Sequence, residues 1–237
     1  VLRRTTIDDV RCLVKTTSYD AQTEAAGLDA LRDAGAHVPR VVTVDEHELV
    51  IEEVAGDGDW AACAERLALV HRATGPAFGW ERDGWIGPLP MANPWSEDWP
   101  SFYAEHRLEP WVDDLDTVPA RRLRGAIEDA RLARLLDHDV SPSLVHGDLW
   151  SGNVVGGQWL IDPAIHRGDR ELDLAMARLF GGFPAAFFAT YAAAWPLDDG
   201  WEDRLPALQL FHLLVHVRLF GGGYQRQVVE RLDALGW

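Results

Sequence analysis

Between Leu144 and Pro163 the chain reads LVHGDLWSGNVVGGQWLIDP, which brings His146, Asp148, Asn153 and Asp162 into one short stretch. An aspartate that orients and deprotonates a hydroxyl, next to two hard oxygen ligands for a divalent cation, is the set that phosphoryl transfer requires. Asp148 is the candidate base. Asn153 and Asp162 are the candidate ligands for Mg2+ bridging the phosphates of ATP. A β-hairpin turning at Gly156–Gly157 would return Asp162 to the neighbourhood of Asn153. Singly, each residue has an ordinary explanation: Asp148 caps a turn, Asn153 sits in a loop, and Asp162 before Pro163 starts a turn. Together, framed by apolar strand residues, they point to a site.

The spacing His-x-Asp-x-x-x-x-Asn is that of a kinase catalytic loop. Such a site also needs a cation on the phosphates. Lys15 ends the strand-like RCLVK, and Glu24 lies in the segment after it. A strand lysine on the α- and β-phosphates, held by a helix glutamate, is the kinase arrangement. Alone, Lys15 is a solvated strand-end lysine and Glu24 an exposed helical carboxylate; with the downstream set they pair. The LVIEEVA segment would join two lobes, with backbone groups near Glu52, Glu53 and Val54 available to adenine.

The elements that must position these groups are legible in outline. VLRRTT and VRCLVKTT flank IDD, a hairpin with an aspartate turn. DAQTEAAGLDALRDA, from Asp20 to Ala34, has helical spacing and stops at Gly35. RVVTVDEHELVIEEV is a second strand pair around Asp45 to His47. Helices are expected over Trp60 to Arg72, Trp99 to Asp113 and Ala120 to Leu136, with a Trp/Pro/Gly-rich loop between the first two. LQLFHLLVHVRLF reads as a helix buried on most sides. These elements predict an α+β, two-lobed fold: residues 1–54 a small β-rich lobe and residues 55–237 a larger helical lobe carrying the catalytic loop.

Composition narrows the function classes. The 237 residues include 38 acidic and 22 basic side chains, a net charge of −16. That surface repels phosphate backbones, so nucleic acid is not an expected partner; the same field would favour a cationic substrate, although on charge alone solubility is the stronger explanation. Cys12 and Cys63 are the two cysteines, too few and too far apart for a disulfide framework, and a cytoplasmic location is expected. The longest mostly apolar stretch, Pro184 to Leu197, is too short to span a bilayer and contains prolines, so no membrane association is expected.

HGDLWSGN, DPA, GDRELDLAM, LFGGF and LFGGGY, with EAAGL at Glu24, FGW at Phe78 and NPW at Asn93, resemble the fructosamine (ketosamine) kinases over almost the whole chain. These belong to the protein-kinase-like superfamily of aminoglycoside and choline kinases. The resemblance implies ATP-dependent phosphorylation of the 3-hydroxyl of a ketoamine such as fructosyl- or ribulosyl-lysine, whose unstable product releases the amine and so deglycates protein. It implies Asp148 as base, Asn153 and Asp162 as metal ligands, and Lys15 with Glu24 on the phosphates. Trp150 would pack on the sugar or brace the loop, while His146 and Asp173 would support the loop structurally. The glycine-rich turn that the family carries before its lysine strand is not visible ahead of Lys15, so the N-terminal lobe is expected to lack it and the strand before it. Three other functions compete: an aminoglycoside- or choline-type kinase, a non-catalytic nucleotide-binding protein of kinase shape, and a metal-dependent hydrolase using His146, Asp148 and Asp162.

Overall fold

Asp8 and Asp9, with φ of 48° and 64°, turn β1 (Leu2–Ile7) into β2 (Val10–Thr16), the tight aspartate turn that the sequence predicts. The structure, a computed structural model, describes residues 2–237. α1 (Ala21–Asp33) starts where the Asp20 carboxylate accepts a hydrogen bond from the Gln22 N–H, a standard N-cap. β3 (Val41–Val44) and β4 (Glu48–Glu52) complete an antiparallel sheet of order β1-β2-β4-β3. Residues alternate across a strand. Cys12 and Val14 of β2 therefore share one face with Val50, while Leu13 and Lys15 share the other, toward Leu49, Ile51 and α1.

The remainder is mainly helical. α2 (Trp60–Arg72) is followed by β5 (Gly84–Ile86) and β6 (Leu89–Met91), a short hairpin inside the stretch expected to be a loop. Three-residue strands interrupted by proline carry too little alternation to read. The helix expected from Trp99 to Asp113 is α3 (Trp99–Tyr103), a π-helical turn (Ala104–Leu108) and α4 (Glu109–Val112). Pro110 has no N–H for the His106 carbonyl, which accepts from the Arg107 guanidinium instead, and the ladder shifts register there.

The helix expected over Ala120 to Leu136 divides into α5 (Thr117–Glu128) and α6 (Arg131–Leu136), with Ala130 at φ 55°. In one straight helix Leu132 would lie on the face opposite Leu123. The left-handed break lets Leu123, Leu132 and Leu136 enter the same core.

β7 (Ser143–Val145) leads into the segment carrying Asp148, in which a 3-10 turn (Ser151–Asn153) precedes the hairpin β8 (Val154–Val155) and β9 (Trp159–Leu160). β10 (His166–Gly168) returns antiparallel to β7, and its pairing brackets the segment at both ends. α7 (Glu171–Leu179), α8 (Ala185–Ala194), α9 (Trp201–Phe220) and α10 (Gly223–Ala234) follow. α9, buried along most of its length, is the spine of one core, with Leu208, Phe211 and Leu214 fully enclosed. A second core joins Leu28, Leu49 and Ile51 of the sheet region to Leu67, Leu149, Leu160 and Phe187. Both cysteines are free and buried.

α7 and α9 are tied by Arg204, whose Nε and Nη2 each donate to a Glu171 oxygen at 2.7 Å with both residues buried. Removing one partner strands the other charge in the interior. Arg204→Ala is expected to lower unfolding free energy by about 3–5 kcal/mol, measured by urea denaturation.

Candidate active site

Lys15 sits near the end of β2, where the strand period turns it inward from the sheet. Its Nζ donates to Glu24 Oε2 at 2.7 Å and to Asp162 Oδ1 at 2.8 Å. Glu24 projects from α1 and is 5% exposed. Its Oε2 also accepts from the Tyr19 hydroxyl at 2.9 Å. Burial raises the Glu24 carboxyl, with the Lys15 ammonium acting against it. At Lys15 burial works to lower the pKa, but the carboxylates of Glu24 and Asp162 outweigh it and the net shift is upward. The lysine is therefore held as a cation.

The loop carrying Asp148 is fixed from below. Asp173, in the first turn of α7 and fully buried, accepts the N–H groups of His146 at 2.7 Å and Gly147 at 2.8 Å. Its Oδ2 also lies 3.1 Å from His71 Nε2 of α2, and Tyr191 meets His71 Nδ1 at 2.7 Å. Burial alone would raise the Asp173 carboxyl, but its contacts with His71 and the loop hold it below the usual range. Gly147 has φ 81° and a side chain there would collide with the Ala164 carbonyl, so only glycine lets the loop cross this strand connection. His212 of α9 binds the Gly147 carbonyl at 2.8 Å.

His146 lies beneath the loop. The Asp148 N–H donates to its Nδ1 at 3.3 Å, which places the ring proton on Nε2, 3.0 Å from the Ile161 carbonyl. Burial lowers its pKa and keeps the ring neutral. It links the Asp148 loop to the end of the β8–β9 hairpin at Ile161 and does not line the cavity.

Asp148 itself reaches the cavity. Burial pushes its carboxyl up to about 7, with the Asn153 hydrogen bond opposing. Asn153 Nδ2 donates to the Asp148 backbone oxygen at 2.9 Å and to Asp148 Oδ2 at 3.1 Å, leaving Asn153 Oδ1 as an oxygen donor. Asp162 stands at the end of the hairpin with φ 54°. That is a sparsely populated backbone region, more so before proline, of the kind retained where a side chain must be aimed. Ile161 N–H donates to the Asn153 carbonyl at 3.0 Å, so the hairpin brings Asp162 back beside Asn153. Hard oxygens at Asn153 and Asp162, both facing one cavity, suit a divalent cation such as Mg2+.

The cavity has a volume of about 320 Å3 and is lined by Lys15, Glu24, Asp148, Trp150, Asn153 and Asp162 among others. Trp150 is 41% exposed, so it is no core tryptophan; its ring lies over Gly152, where any Cβ would strike it. Glu52, Glu53 and Val54 do not line this cavity, and the N–H groups of Glu52 and Glu53 are spent on the Arg40 and Arg11 carbonyls. An adenine contact at this connection could not use those two amides.

Apart from Pro163 of DPA, and Leu219 and Phe220 of LFGGGY, the rest of the lining belongs to no motif of the sequence. Tyr19 stacks on Trp85 of β5 with ring centroids 5.2 Å apart, closing one side across the two lobes. Gly87 and Pro88 of the same hairpin, with His216, Leu219 and Phe220 of α9, also line the cavity. LFGGGY carries the resemblance, but nothing in its spacing ties it to Asp148.

A small antiparallel sheet over a helical body, with lysine, aspartate and asparagine meeting between them, is the architecture of kinase-like phosphotransferases. An aminoglycoside phosphotransferase solved with ADP and hygromycin B superposes with a TM-score of 0.64 at 16% identity, covering 99% of this chain and 92% of that one. The profile of the fructosamine kinase family matches residues 10–235, and the chain belongs to that family. A Synechocystis sp. protein named probable ketoamine kinase is 41% identical over 231 residues, 89% of this chain and 77% of its own. The crystal structure of a candidate fructosamine-3-kinase from Thermobifida fusca superposes with a TM-score of 0.91 at 37% identity, covering 99% of this chain and 88% of that one.

The raised Asp148 carboxyl has a stability consequence. Its folded value of about 7 lies above the ordinary 3.8. Folding therefore favours the protonated form, and stability is lost as pH rises from about 4 to about 7. Asp148→Asn mimics the neutral acid. It is expected to stabilise the protein at pH 8 by about 1–3 kcal/mol, and hardly at all at pH 4, read as melting temperature against pH.

Proposed function

We propose that this protein is an ATP-dependent kinase that phosphorylates the 3-hydroxyl of ketoamines such as fructosyl- or ribulosyl-lysine. The observation that carries it is the meeting of Lys15, Asp148, Asn153 and Asp162 in one cavity of a fructosamine kinase family member. The printed name of the Thermobifida fusca relative supports the choice of the 3-hydroxyl.

In this mechanism Trp150 carries the sugar and Asp148 accepts the proton of its hydroxyl. The freed oxygen attacks the γ-phosphorus, the bond to the β-phosphate oxygen breaks, and ADP leaves with that electron pair. Lys15 holds the α- and β-phosphates, itself fixed by Glu24 and Tyr19. Asn153 and Asp162 would hold Mg2+, which supplies charge neutralisation across the transferring phosphates. A base with a pKa of about 7 is matched to a hydroxyl acceptor at neutral pH. The phosphorylated ketoamine then breaks down to release the amine, which is deglycation. The walls of Tyr19, Trp85, Phe220 and Leu219 suit a sugar linked to an extended amine. No helix of the described residues is long and apolar enough to cross a membrane, and the two free thiols suit a reducing cytoplasm.

Incubation with Mg-ATP and a panel of fructosyl-, ribulosyl- and erythrulosyl-lysines, followed by mass spectrometry, should show a gain of one phosphoryl group. Phosphorylation of an aminoglycoside alone would overturn the ketoamine assignment. Asp148→Asn should lower kcat by about 10²–10⁴-fold, the range for loss of a general base. In the wild type kcat/KM should rise tenfold per pH unit below about 7 and level off above it, because protonated Asp148 cannot accept the hydroxyl proton. A profile flat from pH 5 to 8 would remove Asp148 from that role.

A further inference from the structure

A second polar site lies elsewhere in the helical body. His138, between α6 and β7, Glu171, opening α7, and Asp198, between α8 and α9, each offer a ligand atom within 4.8 Å of the others. A separate cavity of about 190 Å3 is lined by His138, Asp169, Arg170 and Asp198. It shares no lining residue with the catalytic cavity.

The histidine is arranged as metal-binding histidines are. Its Nε2 lies 2.8 Å from Oδ2 of Asp169, which is 1% exposed. A carboxylate on one ring nitrogen orients the ring and holds a proton on that side, as in carboxylate–histidine–metal relays. The other nitrogen, Nδ1, is buried without a hydrogen-bond partner and faces Asp198 Oδ2 at 3.7 Å, too far for a direct hydrogen bond. A metal ion between Nδ1 and that carboxylate would take the place of a proton there.

We propose that His138, Glu171 and Asp198 bind one divalent transition ion of the Zn2+ class. One imidazole nitrogen and two carboxylates form a borderline donor set, which suits Zn2+ better than Mg2+ or Ca2+. Both oxygens of Glu171 accept from Arg204, but a carboxylate oxygen has two lone pairs and each retains one. Three carboxylates, of Asp169, Glu171 and Asp198, stand against the guanidinium groups of Arg204 and Arg170. Arg170 lines the cavity, with its guanidinium 4.1 Å from the Trp195 ring centre and donating to the Trp195 and Pro196 carbonyls. Ligand bonds of about 2.0–2.2 Å require a contraction of roughly 1 Å among the three atoms. Asp198, 52% exposed on a connecting segment, can supply it. The ion would join three chain segments at the first turn of α7, the turn that carries Asp173 under the catalytic loop.

The test is titration of untagged, metal-free full-length protein with Zn2+ by calorimetry, with Co2+ absorption reporting the ligand set. The expected result is one equivalent bound at micromolar affinity, retained in Asp162→Asn and weakened at least tenfold in both His138→Gln and Asp198→Asn. Zn2+ should also raise the melting temperature of the wild type and not of Asp198→Asn, whose exposed position makes misfolding no explanation for lost binding. Undiminished affinity in both variants, loss of all binding in Asp162→Asn, or no binding at micromolar Zn2+ would each overturn the proposal. A protonated His138 with no affinity for either metal falls under the last outcome. The readouts use no sugar substrate or nucleotide, so they stand apart from the kinase assay.

Discussion

The buried carboxylate of Asp173 is the constraint on which the site's geometry depends. It accepts two consecutive backbone N–H groups, of His146 and Gly147, at the point where the loop must turn sharply with Gly147 at φ 81°. Those amides have no strand partner there, and leaving them unpaired in the interior would cost about 1–3 kcal/mol each. Because Asp173 lies in the first turn of α7, the helix's N-terminal dipole favours its charge. The loop carrying Asp148 is thus hung from a helix end, and His71, His146 and His212 fill the space around it as neighbours of that one anion and that one glycine.

From that anchor the remaining groups follow by short paths. The β8–β9 hairpin carries Asp162 back toward Asn153, and His146 clamps the hairpin's return at Ile161. Asp162 then meets Lys15 from the sheet, so the ammonium spans the lobes between two carboxylates. Tyr19 adds a second crossing by binding Glu24 through its hydroxyl and stacking on Trp85 with its ring. The charged end of the cavity is tied by hydrogen bonds on both sides, while Trp85 of β5 and Phe220 at the end of α9 line its aromatic part.

What the sequence revealed tracks how local each feature is. His146, Asp148, Asn153 and Asp162 lie in one segment whose spacing is set by a hairpin, so their proximity could be read directly. Lys15 and Glu24 were legible because a strand end and the next helix are neighbours in any such sheet. Tyr19, Trp85 and His216 were not, since ordinary residues far apart in the chain meet only through tertiary packing. The division of the α5–α6 stretch was hidden for a different reason. Ala130 is a good helix former, and only the need to put Leu123 and Leu132 into one core breaks the helix there. The π turn was hidden too, although Pro110 marks the spot once the His106 carbonyl is known to need another donor. Glu52, Glu53 and Val54 were placed by analogy of position alone, and backbone groups leave no trace in side-chain identity.

The core that runs from Leu28 and Ile51 through Leu149 and Leu160 to Phe187 does not stop at the boundary between sheet and helical body. Two lobes welded by shared hydrocarbon cannot swing apart as independent shells without exposing that seam to water. Access to the cleft therefore does not come from a free hinge between the lobes. By the same token the molecule should melt in a single cooperative step, and neither half cut free would keep a sealed interior of its own.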